Sequence, residues 1–115
     1  MTMAFVWAWA RAFVVTQAIE APIYRYGYGA SLPVALGASA ITHPIVWFGF
    51  FGLFGLSEHL SYGTLLVLAE TFAVLVEAVW LHLMARRPHA AAWALAANVA
   101  SVAIGTEMRA LFGFP

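Results

Sequence analysis

From Tyr26 to Ser57 the chain carries no Lys, Arg, Asp or Glu. At its centre stands "LPVALGASAITHPIVWFGFFGLFGL". In water such a stretch has to be buried on nearly every side. A domain of 115 residues has too little interior for that, because small folds leave much of their area exposed. In a bilayer the same stretch suits a helix, which satisfies its backbone groups internally. About twenty apolar residues cross the hydrocarbon core. The remainder is alike: 64% of residues are hydrophobic and 9% charged, against about a quarter charged in soluble domains.

The sequence predicts an all-α membrane protein, a four-transmembrane-helix bundle forming a single integral membrane domain over residues 1–115. The expected helices run from about 4–24, 32–56, 60–85 and 90–111. "YRYGYGASLP", "GLSEHLSYG" and "RRPH" are the turns between them. Ser31 suits a helix cap, and Pro33 and Pro88 suit helix starts. Trp7 and Trp9 are expected near one membrane border and Tyr24, Tyr26 and Tyr28 near the other. The first apolar segment is too long for a cleavable signal and lacks a basic start. Arg25, Arg86 and Arg87 fall on one side of the expected membrane and Arg109 on the other. That small bias places both termini outside the cytoplasm, in a prokaryotic inner membrane. A net charge of zero offers no footprint for nucleic acid. The absence of cysteine removes disulfides, thiol nucleophiles and thiolate metal sites.

Against this background the polar residues at membrane depth carry the information, since such groups face a bundle interior or a cavity. Glu70 and Glu77 stand seven residues apart in "AETFAVLVEAVW", on nearly one helical face and about 10 Å apart in rise. Either they pack as hydrogen-bonded acids or they serve a proton or cation. His43 adjoins Pro44, which removes a helical hydrogen bond and frees a carbonyl near residue 40. Asn98, Ser101 and Gly105 share one face of the fourth helix, a pattern that lets membrane helices approach closely. Gly49, Gly52 and Gly55 read the same way. Gln17 and Glu20 share a face of the first helix; Arg11 lies opposite, where it snorkels or meets a neighbouring protomer.

The two halves of the chain align as hairpins. "IEAPIY" lies over "VEAVWL", matching Glu20 with Glu77. "ALGASAITHPIVWFG" lies over "ALAANVASVAIG", matching Ser39 with Asn98 and Thr42 with Ser101. Such a parallel repeat implies a pseudo-two-fold axis along the membrane normal, with the two glutamates flanking it.

The set "EAPIY", "THPIVWF", "AETFAVLVEA" and "NVASVAIG" resembles a group of small prokaryotic four-helix integral membrane proteins. They share Glu-x-Pro, Thr-x-Pro, a twice-acidic third helix and Asn-x-x-Ser-x-x-x-Gly. The resemblance implies no activity. In size and span count the chain is also similar to small multidrug resistance transporters, whose motifs it does not match.

Two functions follow. In the first, Glu20, His43, Glu70 and Glu77 form a proton or cation site, with Thr42, Asn98 and Ser101 supplying neutral oxygens, and a homo-oligomer encloses the volume that four short helices lack. In the second, the chain is an accessory or scaffold subunit of a larger membrane complex. An intramembrane metalloenzyme using His43, Glu70 and Glu77 is the weakest alternative, because no H-E-x-x-H spacing is present. No catalytic residue and no cofactor can be named from the sequence, and the lipid bilayer is the one expected partner common to every reading.

Overall fold

The computed structural model describes residues 2–53 and 55–113. Helix α1 spans Met3–Pro22 and continues as a π-helical segment, Ile23–Tyr28. Helix α2 spans Leu32–Pro44 and continues likewise through Ile45–Leu53. A short 3-10 turn, Leu56–Glu58, leads to α3 (Tyr62–Ala85), and α4 spans Ala90–Phe112. No strand occurs among the described residues.

Local chemistry sets these boundaries. Thr2 and Ser61 cap α1 and α3 with their hydroxyls, each accepting a backbone N–H at 3.2 Å. Ser31 occupies the cap position of α2 but makes no side-chain capping bond. Both π-helical segments begin directly after a proline, Pro22 or Pro44. Proline lacks the N–H and crowds the preceding turn; a wider turn relieves both problems without ending the helix. The break expected beside His43 is therefore a widening. The expected end of the second helix at residue 56 is a correction too. Gly55 lies in the left-handed region, φ 66°, which stops the helix and is the role of this glycine. Residue 54 lies outside the described residues.

Helix α1 packs against α2 and α4, and α3 packs against the same two helices, so α1 and α3 face each other across a diagonal. Small residues let the backbones close up: Ala35 and Ala38 on α2, Ala94 and Ala97 on α4, all fully buried. Ala35 and Ala94, Ala38 and Ala97, and Ser39 and Asn98 are buried in pairs at one constant sequence offset. Gly105 behaves otherwise. A Cβ there meets nothing within 4 Å, so close approach of helices within this chain does not explain it.

The bundle buries polar side chains within its apolar core and exposes large apolar ones. Glu20, Ser39, Thr42, Glu77 and Asn98 are buried, while Leu75, Val79, Leu95, Val99 and Ile104 are exposed. Two helical stretches, Leu32–Gly52 and Tyr62–Ala85, are long and apolar enough to cross a membrane, with mean hydropathies of 1.5 and 1.9. Four were expected. Arg11, Gln17 and Glu20 dilute α1, and Asn98, Ser101, Thr106 and Glu107 dilute α4.

Close packing at a glycine tests the fold. A Cβ at Gly37 would stand 2.7 Å from the Trp80 ring, and the Trp80 indole N–H donates to the Val34 carbonyl at 2.9 Å. Gly37→Ala displaces that ring and is expected to destabilise the fold by about 1–3 kcal/mol. Gly105→Ala, in open space, is expected to be neutral or stabilising by up to about 1 kcal/mol. Thermal unfolding in detergent, followed by tryptophan fluorescence, compares the two.

Candidate functional site

Each of the four helices delivers a polar side chain to one level of the bundle. The Glu77 carboxylate from α3 is buried, 1% exposed. Its Oε1 accepts from the Tyr24 hydroxyl at 2.6 Å and from Asn98 Nδ2 at 3.2 Å. Its Oε2 accepts from the Thr42 hydroxyl at 2.7 Å. The three donors come from the π-helical end of α1, from α4 and from α2. Asn98 is held in place by a second bond, Nδ2 to the Ala94 carbonyl at 2.8 Å.

Glu20 lies across the diagonal on α1, beside the Glu77 carboxyl and 2% exposed. Its Oε2 is 2.6 Å from the Ser101 hydroxyl oxygen, which is also 3.1 Å from the Asn98 carbonyl. A hydroxyl has one proton to donate. With Glu20 ionised, Ser101 donates to the carboxylate. With Glu20 protonated, the acid donates to Ser101 and Ser101 donates to the Asn98 carbonyl. The Glu20–Ser101 bond is kept in both states, and the bond to the Asn98 carbonyl forms only when Glu20 is protonated. Glu20 Oε1 has no hydrogen-bond partner, and neither does Ser39 Oγ on α2; both atoms are buried.

These groups close one end of a cavity of about 610 Å³. Its lining begins at Phe5, Tyr62 and Arg109, where α1 starts and α4 ends, and reaches Glu20, Glu77 and Asn98. Arg109 at this mouth donates to the Tyr62 hydroxyl at 3.4 Å. Beyond the acids the bundle is packed solid by Tyr24, Tyr28, Leu81 and the buried alanines. Glu70 lines the cavity, partly exposed, and takes no hydrogen bond or salt bridge from the described residues. The three acids thus differ in kind. Glu77 is saturated by donors, Glu20 is half satisfied, and Glu70 is bare.

His43 lines the same cavity but stands apart from the glutamates. Its Nε2 is 3.3 Å from the Thr16 hydroxyl. Its ring stacks on Trp47 with 5.9 Å between centroids and meets Phe13 at 5.5 Å. The candidate metal set of the weakest alternative, His43, Glu70 and Glu77, does not assemble: no group of three or more His, Asp or Glu converges among the described residues. His43 is turned to α1, and Glu77 has given its oxygens to three donors.

Two members of the site were missed from the sequence. Tyr24 was expected in an aromatic belt with Tyr26 and Tyr28. Instead Tyr24 and Tyr28 are buried and Tyr26 alone is exposed. Tyr28 donates to the Arg87 carbonyl at 2.8 Å and ties the first turn to the third. The signal was spacing: Glu20, Tyr24 and Tyr28 recur every fourth residue, along one helical face. Ser39 was the other. The hairpin alignment had already paired it with Asn98.

Removing an acceptor from buried donors costs more than removing a bare acid. Glu77→Leu strands Tyr24, Thr42 and Asn98 and is expected to cost at least about 3 kcal/mol. Glu77→Gln is expected to cost about 1 kcal/mol, because the Thr42 hydroxyl can turn toward the Ala38 carbonyl, 3.4 Å away, and accept from the new amide. Glu70→Leu is expected to be neutral or stabilising. Chemical denaturation in mixed micelles ranks the three, and equal losses at 70 and 77 contradict the assignment.

Comparison with protein-family models, with curated proteins and with solved structures finds no match to this chain.

Proposed function

We propose that the chain is an integral membrane protein of four spanning helices whose Glu20–Glu77 pair binds and releases a proton or a cation during translocation. The membrane reading is supported by the inverted surface. The bundle hides carboxylates and an amide while exposing Leu75 and Val79 at 62% and 57%. Lipid is the solvent for which that exterior is suited. Its longest dimension, 39 Å, is similar to a bilayer with its interfacial regions, about 40–45 Å. In this reading α1 and α4 also span: Glu20 and Asn98 are buried and Gln17 and Ser101 partly so, while Arg11, Thr106 and Glu107 are exposed.

One observation carries the functional reading: a buried carboxylate oxygen, Glu20 Oε1, has no partner at the closed end of a cavity open toward the other end. Two neighbouring carboxyls in an apolar interior repel when both are ionised, and a proton or cation between them removes that cost. The Ser101 hydroxyl lets Glu20 exist in either protonation state while the bond between the two is kept. Glu70, bare on the cavity wall, supplies a second acidic station between mouth and pair. His43 and its aromatic neighbours form wall. The matched contacts Glu77 to Thr42 at 2.7 Å and Glu20 to Ser101 at 2.6 Å favour the pseudo-two-fold arrangement of two hairpins. These residues of the site all come from one chain. The apolar exterior also suits a subunit that meets partner helices, the second reading.

Reconstituted vesicles distinguish them. Vesicles loaded with a pH-sensitive dye and given a proton or sodium gradient are expected to show flux that depends on the wild-type protein. That flux is expected to fall to the level of empty vesicles in Glu20→Gln, with the helical circular dichroism unchanged. Absence of flux for either ion, with a partner protein retained after mild extraction, favours the subunit.

A further inference from the structure

Around the two buried acids one contact is shared by the halves and two are not. Exchanging the hairpins maps Glu77 onto Glu20, Thr42 onto Ser101 and Asn98 onto Ser39. The Glu77–Thr42 bond has its counterpart in Glu20–Ser101. The Tyr24–Glu77 bond has none, because Leu81 stands at the position matching Tyr24, and the Asn98–Glu77 bond, 3.2 Å, has none either. At the positions matching Asn98 and Glu77 stand Ser39 and Glu20, whose Oγ and Oε1 are two of the three buried oxygens without partners among the described residues, Gln17 Oε1 being the third. Serine ends one bond short of the amide nitrogen that asparagine presents. An N–H donor is therefore missing at this point, and the position lies on the cavity wall. The residues are 1% and 2% exposed, so a donor entering from the cavity reaches the two oxygens by displacing the side chains around them slightly.

We infer that a ligand supplies it: the cavity takes a primary ammonium carried on an apolar body, with the nitrogen between Glu20 Oε1 and Ser39 Oγ. This rests on the reading of Glu20 as a cation site and names the class of cation. An ammonium group offers three N–H donors and a positive charge. It thereby donates to both orphan oxygens and offsets the charge of the neighbouring Glu77 carboxylate. The remaining space is large for a bare ion. A volume of about 610 Å³ falls in the range of pockets for small organic molecules, about 300–1,000 Å³. Val46, Trp47, Phe51 and Leu66 form apolar wall suited to the body of such a ligand. A divalent metal ion instead needs several oxygen or nitrogen ligands converging on one point, and no such set is present among the described residues.

The asymmetry itself provides the test. Ser39→Asn places an amide where the hairpin match requires one, so Asn supplies the donor in place of the ligand. The purified protein in detergent is titrated at pH 7 with phenethylamine, with 2-phenylethanol as the neutral analogue and with methylammonium as the amine without a body. Tryptophan fluorescence reports occupancy through Trp47, and thermal unfolding is read alongside. Expected are saturable binding of phenethylamine, at least about tenfold weaker binding of either control, and a Ser39→Asn protein that melts higher and no longer binds. Should that variant fail to fold, Ser39→Ala, which removes one acceptor and adds no bulk, is expected to weaken binding about three- to tenfold. Equal binding of 2-phenylethanol, undiminished binding in the Ser39 variants, or no saturable response overturns the inference. The vesicle assay separates it from the broader reading. Glu20-dependent proton or sodium flux without phenethylamine binding removes the amine and leaves ion translocation standing. Amine binding without flux of proton, sodium or amine does the reverse.

Discussion

The Glu77 carboxylate is the point on which the bundle is assembled. It has left water for an interior where an unpaired charge costs several kcal/mol. Three donors from three other segments meet it: Tyr24 after α1, Thr42 on α2 and Asn98 on α4. Each bond fixes the rotation of one helix as well as its distance. Alanines at 35, 38, 94 and 97 allow the approach, but alanine packing by itself tolerates sliding and rotation. The carboxylate does not, because its lone pairs have directions.

The widened turns after Pro22 and Pro44 belong to the same construction. Tyr24 sits in the segment that follows Pro22, and its ring is fully buried with the hydroxyl on Glu77. Two residues on, Tyr26 points outward. In the second helix the turn after Pro44 carries Trp47 and Phe50 beside α1 and α3. The prolines thus shape the path of the helix while keeping it continuous. Neither of the other two helices contains a proline, and neither departs from α geometry.

Polarity is graded along the cavity rather than gathered in a single cluster. The mouth has Arg109 and Tyr62, the wall has bare Glu70, and the floor has Glu20, Ser39 and the saturated Glu77. Two glutamates on one face of α3 therefore have separate roles. Glu77 holds the structure, and its loss should be felt in stability. Glu70 takes no hydrogen bond or salt bridge from the described residues, so its loss should be felt little in stability. His43, although equally deep, belongs to an aromatic wall built with Phe13 and Trp47.

Much of this was legible in the residues. The charge-free run from Tyr26 to Ser57, the three turns and the long apolar segments between them determined four helices and most of their limits. The hairpin match paired Glu20 with Glu77, Ser39 with Asn98 and Thr42 with Ser101, because side chains facing one interior recur at a constant offset. Other features were decided only by the tertiary structure. Which acid is saturated and which is bare depends on donors brought from distant segments, and no spacing within α3 records that. Tyr24 turned inward because a buried carboxylate across the bundle needed its hydroxyl, against the ordinary preference of tyrosine for a membrane border. The vacancy between Glu20 and Ser39 likewise exists only as a relation between two hairpins. A sequence states that serine stands where its match has asparagine; only the packed bundle leaves that difference as two oxygens without a donor.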